Sequence, residues 1–157
     1  PICRWSQAHF QFEKSPHIWK NDTADIYIDS CEQVRQALQS TKKTTIDCVL
    51  WHQGEADWNE THNYYNQRLN SIIFNYRNES FSHNYTPFIC GELLGFPSTF
   101  SHQNTVLQQI NFNNDPFSRC ASTKHLPHAP FDPIHFSSDG HRMMGKLYYL
   151  EYTNILK

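Results

Sequence analysis

Short apolar runs alternate along this chain with longer amphipathic stretches, and the two periodicities assign most of its elements. Residues 1–6 (PICRWS) read as a short strand with a polar exit, and 7–25, mixed in polarity and holding Pro16, as a loop. A helix is predicted over 29–40, where Val34 and Leu38 stand four apart with Cys31 and Ala37 near the same face. TTIDCVLW (44–51) reads as a strand, and the continuous apolar run in its second half suits burial on both faces of a parallel sheet. Asp57 and Glu60 then have capping-box spacing, and a helix follows to about Arg77 with Tyr65, Leu69, Ile72 and Tyr76 on one stripe. PFICGELL (87–94) is the next strand, broken by Gly95 and Pro97. A helix fits 101–112 on Val106, Leu107 and Ile110, and a short strand fits 117–122. Residues 124–136 hold three prolines and read as a loop, before a last helix from Ser138 to Leu156 with Met143, Leu147 and Leu150 on one face.

Strands alternating with helices in this order predict the α/β class: a three-layer α/β/α sandwich around a parallel sheet. In such sheets ligands bind beyond the carboxyl ends of the strands. Strand 44–51 ends there in His52, Gln53, Gly54, Glu55 and Asp57, a dense set of proton-active and hydrogen-bonding groups.

Composition narrows the function classes. At 157 residues the chain suits one domain with a real core, and 38% hydrophobic with 15% aromatic residues is not a disordered composition. The formal net charge is −2 and no basic patch stands out, which argues against a nucleic-acid partner. No apolar run is long enough to span a membrane. Five cysteines without a C-x-x-C pair read as small buried residues, and favour a reducing compartment. Four N-x-S/T sequons, at Asn21, Asn59, Asn78 and Asn84, favour secretion instead, so the compartment stays open.

A second informative stretch is FDPIHFSSDGHRMMG (131–145). Asp132 and His135 stand three apart in a Pro-stiffened turn, a spacing at which the carboxylate can accept from the imidazole, set its tautomer and stabilise its cation. An oriented His is the general base that a serine nucleophile needs.

Trp-His-Gln-Gly-Glu after a strand, followed later by Asp-x-x-His just before a final helix, resembles the SGNH-type hydrolases. The nearer branch is that of sialate O-acetylesterases and acetylxylan esterases, carbohydrate esterase family six and its relatives. PFICGEL and IHFSSDGHRMMGKLYY are similar to that family's later strand and last helix. The resemblance covers nearly the whole chain and implies an SGNH or flavodoxin-like sheet. It implies a serine esterase that removes O-acetyl groups from sialic acid, xylan or another glycan, with no cofactor and no metal. His135 would be the base, Asp132 its orienting carboxylate, and Gln53 the side-chain amide that donates to the oxyanion. Gly54 would let the backbone turn closely beneath the substrate, and Glu55 would orient the His or support the loop. Trp51, His52 and Trp5 would line the substrate or pack the loop.

The departure from that family is as informative. It takes its serine from a G-x-S motif after the first strand and a second oxyanion donor from a Gly after the second, and neither block is here. Ser6 follows a strand but lacks the Gly context, Ser137 and Ser138 read as helix caps, and the other serines lack a strand-to-turn setting. The resemblance therefore implies the C-terminal portion of one domain, residues 1–157, with its N-terminal strands missing. The nucleophile is expected on that missing segment, in the same polypeptide or as a separate chain.

Two other readings compete. His125, His128, His135 and His141 cluster near Asp132 and Asp139, but Pro127 separates the first pair and no H-E-x-x-H occurs, so they read as loop histidines rather than zinc ligands. Trp5, Phe10, Phe12 and Trp19 offer sugar-stacking rings, which fits a catalytically inactive, carbohydrate-binding relative of the esterases.

Overall fold

The three strands of the main sheet are parallel and ordered as they occur in the chain. They are β1 (Val49–Trp51), β2 (Phe88–Gly91) and β3 (Ser118–Ala121). The computed structural model describes residues 26–94, 99–110 and 115–157. The strand expected over 1–6, the loop after it, Trp5, Ser6 and the break at Gly95 and Pro97 lie outside these residues.

Helix α1 (Ile26–Thr41) precedes β1, α2 (His62–Asn78) crosses from β1 to β2, and α3 (Ser101–Gln109) crosses from β2 to β3. Both crossovers step the same way, so a shared handedness puts α2 and α3 on one face. There Tyr65, Leu69 and Ile72 of α2, Val106 and Leu107 of α3 and Cys31 of α1 pack on Trp51, Phe88, Cys90 and Cys120. Helix α4 (Ser138–Ile155) covers the other face, with Met144 and Tyr148 against Ile89 and Ala121. The molecule is thus the α/β/α sandwich that the element order predicts. Each fully buried side chain of this kind contributes roughly 1.5–3 kcal/mol. Cys31, Cys90 and Cys120 are small buried residues of this core, and Cys48 is half-buried.

Four differences from the sequence reading have local causes. The strand expected over 44–51 shrinks to its last three residues, because Ile46 N–H turns to Phe81 O (3.0 Å) and leaves the ladder. Thr61, not Asp57, caps α2, its hydroxyl accepting from Tyr64 N–H at 3.3 Å. The three-proline loop contains a small antiparallel hairpin, β4 (His128–Ala129) and β5 (Asp132–Phe136), whose turn holds Phe131 at φ 64°. Finally, α4 buries Gly140, Met144 and Tyr148, whereas Met143 and Leu150 are half exposed. Gly140 sets that rotation, since a Cβ there would stand 2.3 Å from Pro127 O in the hairpin.

Among the described residues β1 has a strand on one edge only. Leu50 shares a sheet face with Ile89, yet it is 57% exposed where Ile89 is fully buried. A cleft of about 290 Å³ follows this open edge, lined by Val49, Leu50, Trp51, His52, Gln53 and Tyr76. An apolar strand with a free edge is a template for another strand.

Candidate active site

The cluster forms where β1 ends. Trp51 is core: its ring packs on Phe88 at 6.2 Å, and its carbonyl accepts from Tyr148 O–H at 2.9 Å. The next residue, His52, turns toward α4 and β5, with Nδ1 at 2.9 Å from Tyr148 Oη and its ring edge-on to Phe136 at 5.2 Å. Tyr148 has one proton and gives it to Trp51 O, so His52 carries hydrogen on Nδ1 and an unprotonated Nε2. That Nε2 has no hydrogen-bond partner among the described residues, with Glu55 Oε1 at 3.8 Å. Burial, helped by the charge on His141, lowers the His52 pKa to about 4.

That depression makes stability pH-dependent. The unfolded chain protonates His52 near pH 6.5, while the folded site resists until about 4. The His52 contribution is therefore complete above pH 6.5, falls as pH drops toward 4, and amounts to about 3 kcal/mol. Glu55 acts in the opposite sense. Burial raises its pKa, so its contribution is present at low pH and lost as pH rises through that raised value. His52→Gln in the full-length protein is expected to flatten the urea-midpoint loss between pH 7 and 4.5. An unchanged slope would assign that acid sensitivity to other groups.

Gln53 is 6% exposed. Its Nε2 donates to Asp57 Oδ2 at 2.6 Å, its carbonyl accepts from Tyr65 O–H at 2.7 Å, and its Oε1 has no partner among the described residues. The capping-box reading of Asp57 thus gives way to a buried link inside the loop, in a 3-10 turn over Glu55–Asp57. Gly54 has φ 148°, and a Cβ there would meet Leu93 Cδ1 and Tyr65 Oη, each at 2.9 Å. Its close approach within the protein is to the side chains of Leu93 and Tyr65.

Asp132 and His135 form the expected pair, with His135 Nδ1 at 2.6 Å from Asp132 Oδ2. Asp132 Oδ1 also accepts from the N–H groups of Ile134 (3.0 Å) and His135 (3.2 Å). These donors, the imidazole first, hold the Asp132 pKa below the usual carboxylate value. Nδ1 is committed to the carboxylate, so Nε2 faces outward with its lone pair; the His135 side chain is 67% exposed. β5 meets loop 52–57 at the carboxyl end of β1: His52 packs edge-on to Phe136, and His135 is near enough that its protonated form would favour the Glu55 carboxylate.

Among the described residues no serine hydroxyl bonds to His135. One serine that the sequence did not single out, Ser122, does follow a strand at this end of the sheet. Its hydroxyl donates to Glu92 Oε2 at 3.0 Å, a buried carboxylate that Gln108 and Lys124 also engage. Those partners hold the Glu92 pKa low despite burial, which makes it a poor base for that serine. The loop histidines show no metal geometry: His125 and His128 are exposed, and no group of metal-ligating side chains assembles among the described residues.

Residues 14–154 match the family model for carbohydrate esterase, sialic acid-specific acetylesterase. The chain belongs to that family. Its two sequence landmarks, the Trp-His-Gln-Gly-Glu run and the Asp-x-x-His turn, both fall within the matched span. A protein from Arabidopsis thaliana, solved by X-ray crystallography at 1.6 Å, superposes with a TM-score of 0.66 at 18% identity. The match covers 87% of this chain and 55% of the plant protein, so this chain spans little more than half of that relative's length. At this identity the likeness shows the shared α/β fold. Among curated proteins no sequence matches.

Proposed function

We propose that the full-length protein is a carbohydrate O-acetylesterase, and that its serine nucleophile enters on an N-terminal segment outside these 157 residues. The observation that carries this reading is the 2.6 Å Asp132–His135 pair at the sheet end where Gln53 sits. Serine Oγ attacks the acetyl carbonyl and passes its proton to His135 Nε2. The second Gln53 amide proton bonds the developing oxyanion, an interaction of roughly 3–4 kcal/mol in the transition state. Collapse of the tetrahedral intermediate expels the sugar oxygen, which takes the proton from His135. Water, deprotonated by the same nitrogen, then attacks the acetyl-serine; collapse breaks the bond to Oγ, which takes that proton back from His135, and acetate is released. Asp132 holds the imidazole, and the half-buried Glu55 supports the loop beside it.

Among the described residues the outer edge of β1 is unpaired and a cleft runs along it, which supports pairing with a further strand from the N-terminal portion of the same domain. A sialic acid, xylan or other glycan acetate is the substrate class, with sialic acid favoured by the family. Trp51 and His52 border the cleft from the protein side.

Intact-mass spectrometry of the full-length protein with a fluorophosphonate probe tests this directly. The expected result is one adduct, mapped outside these 157 residues, lost together with acetate release from an acetylated sugar. An adduct on Ser122 or another serine of this chain would overturn the missing-serine reading. An unlabelled protein that binds the sugar without releasing acetate would make it a non-catalytic, carbohydrate-binding relative.

A further inference from the structure

We propose that Asp57 is the positioning residue for the Gln53 amide, fixing which end of that amide the reacting ester meets. This rests on the proposed role of Gln53 at the oxyanion.

An amide side chain is two-faced. A half-turn about its last bond exchanges a donor for an acceptor at small steric cost. Turned one way, Gln53 stabilises an oxyanion; turned the other way, its Oε1 repels one. A donor built on Gln therefore needs a second group that distinguishes N from O. A carboxylate oxygen only accepts, so Asp57 Oδ2 selects the turn that brings Nε2 to it.

The separation of 2.6 Å is that of a charge-assisted bond. Gln53 and Asp57 are 6% and 7% exposed, so water competes little for either group. Asp57 is itself held. Its N–H donates to Gly54 O at 3.0 Å, and its carbonyl accepts from Glu60 N–H at 2.9 Å and Gln103 Nε2 at 2.5 Å. The Gln53 backbone is anchored independently by Tyr65 O–H. Neither anchor distinguishes the two ends of the amide; among the described residues only Asp57 does. One Nε2 proton is thereby taken by protein, the other is left for a ligand, and Gln53 lines the cleft along β1.

The test is a double-mutant cycle in the full-length protein, with 4-nitrophenyl acetate as substrate. Gln53→Ala is expected to lower kcat about a hundredfold, the cost of one oxyanion donor. Asp57→Asn presents either an oxygen or a nitrogen to Gln53, loses control of the turn, and is expected to lower kcat about tenfold with KM unchanged. In the Gln53→Ala background, Asp57→Asn should change kcat less than about twofold. A further tenfold loss there would show that Asp57 acts on stability or on another group, and would overturn the proposal; so would wild-type kcat in Asp57→Asn.

If Gln53→Ala itself turns over normally, the oxyanion reading fails, and side-chain amide NMR decides the positioning claim alone. The Gln53 amide should show one downfield, exchange-protected proton that moves upfield in Asp57→Asn. A resonance that Asp57→Asn leaves unmoved overturns the claim. Should that variant not fold, two rapidly exchanging Gln53 amide protons in the wild-type spectrum would do the same.

Discussion

The full-length protein carrying His135→Ala is expected to fold normally and to release acetate from an acetyl ester about ten-thousandfold more slowly. The two halves of this expectation have different physical origins. His135 is 67% exposed and its partner is three residues away, so its removal opens no cavity and leaves stability within about 0.5 kcal/mol. In the proposed mechanism catalysis depends on it, because an alcohol is a poor nucleophile until a base accepts its proton. His135 is built for that: Nδ1 is committed to Asp132 at 2.6 Å, which leaves Nε2 as the acceptor. Asp132→Asn would leave the ring in place but remove the anion that sets its tautomer, and should cost less than His135→Ala. The checks are kcat for acetate release and the melting temperature of each variant. A folded His135→Ala protein with an undiminished rate would remove this residue from the mechanism.

Gly54→Ala should lower stability by about 4 kcal/mol, or roughly 10 °C in melting temperature for a domain of this size. Two costs combine. At φ 148° an L-residue is strained by about 1–3 kcal/mol. Its Cβ would also stand 2.9 Å from both Leu93 Cδ1 and Tyr65 Oη, and overpacking of that kind costs a further 1–3 kcal/mol. Relief by moving Tyr65 breaks its 2.7 Å bond to Gln53 O, so activity should fall with stability. Gly145 is the contrast. It sits inside α4 with nothing within 4 Å of an added Cβ, and Gly145→Ala should stabilise the protein by about 0.5–1 kcal/mol. Equal melting temperatures for Gly54→Ala and the wild type would show that the loop relaxes freely.

Local contacts were the legible ones. The Asp132–His135 pair could be read from the chain because its members lie three residues apart, although the structure places them in strand β5 rather than in the expected turn. The stripe Tyr65, Leu69, Ile72 and Tyr76 could be read because burial on one face repeats with the helix period, and all four are buried. Asp57 was within reach of Gln53 in sequence, but Asp-x-x-Glu before an apolar helix carries the same signature as a cap. Only the 3-10 turn, which sends the carboxylate inward, separates the two readings. Helix α4 was ambiguous for a different reason. Met143 and Met144, like Leu147 and Tyr148, are apolar neighbours, so periodicity allows more than one buried face. The approach of Gly140 to Pro127 O chose between them.

By itself, then, the sequence determined the alternation of strands and helices, the gathering of His52, Gln53 and Glu55 at one end of the sheet, and the Asp–His pair, because each is encoded by residues close together in the chain. Tertiary structure alone decided the packing of His52 against a tyrosine 96 residues away, the tie between Ser122 and Glu92, and, among the described residues, the open edge of β1. Those depend on which surfaces meet when the sheet assembles, and a pattern with a period of two or 3.6 residues carries no record of that.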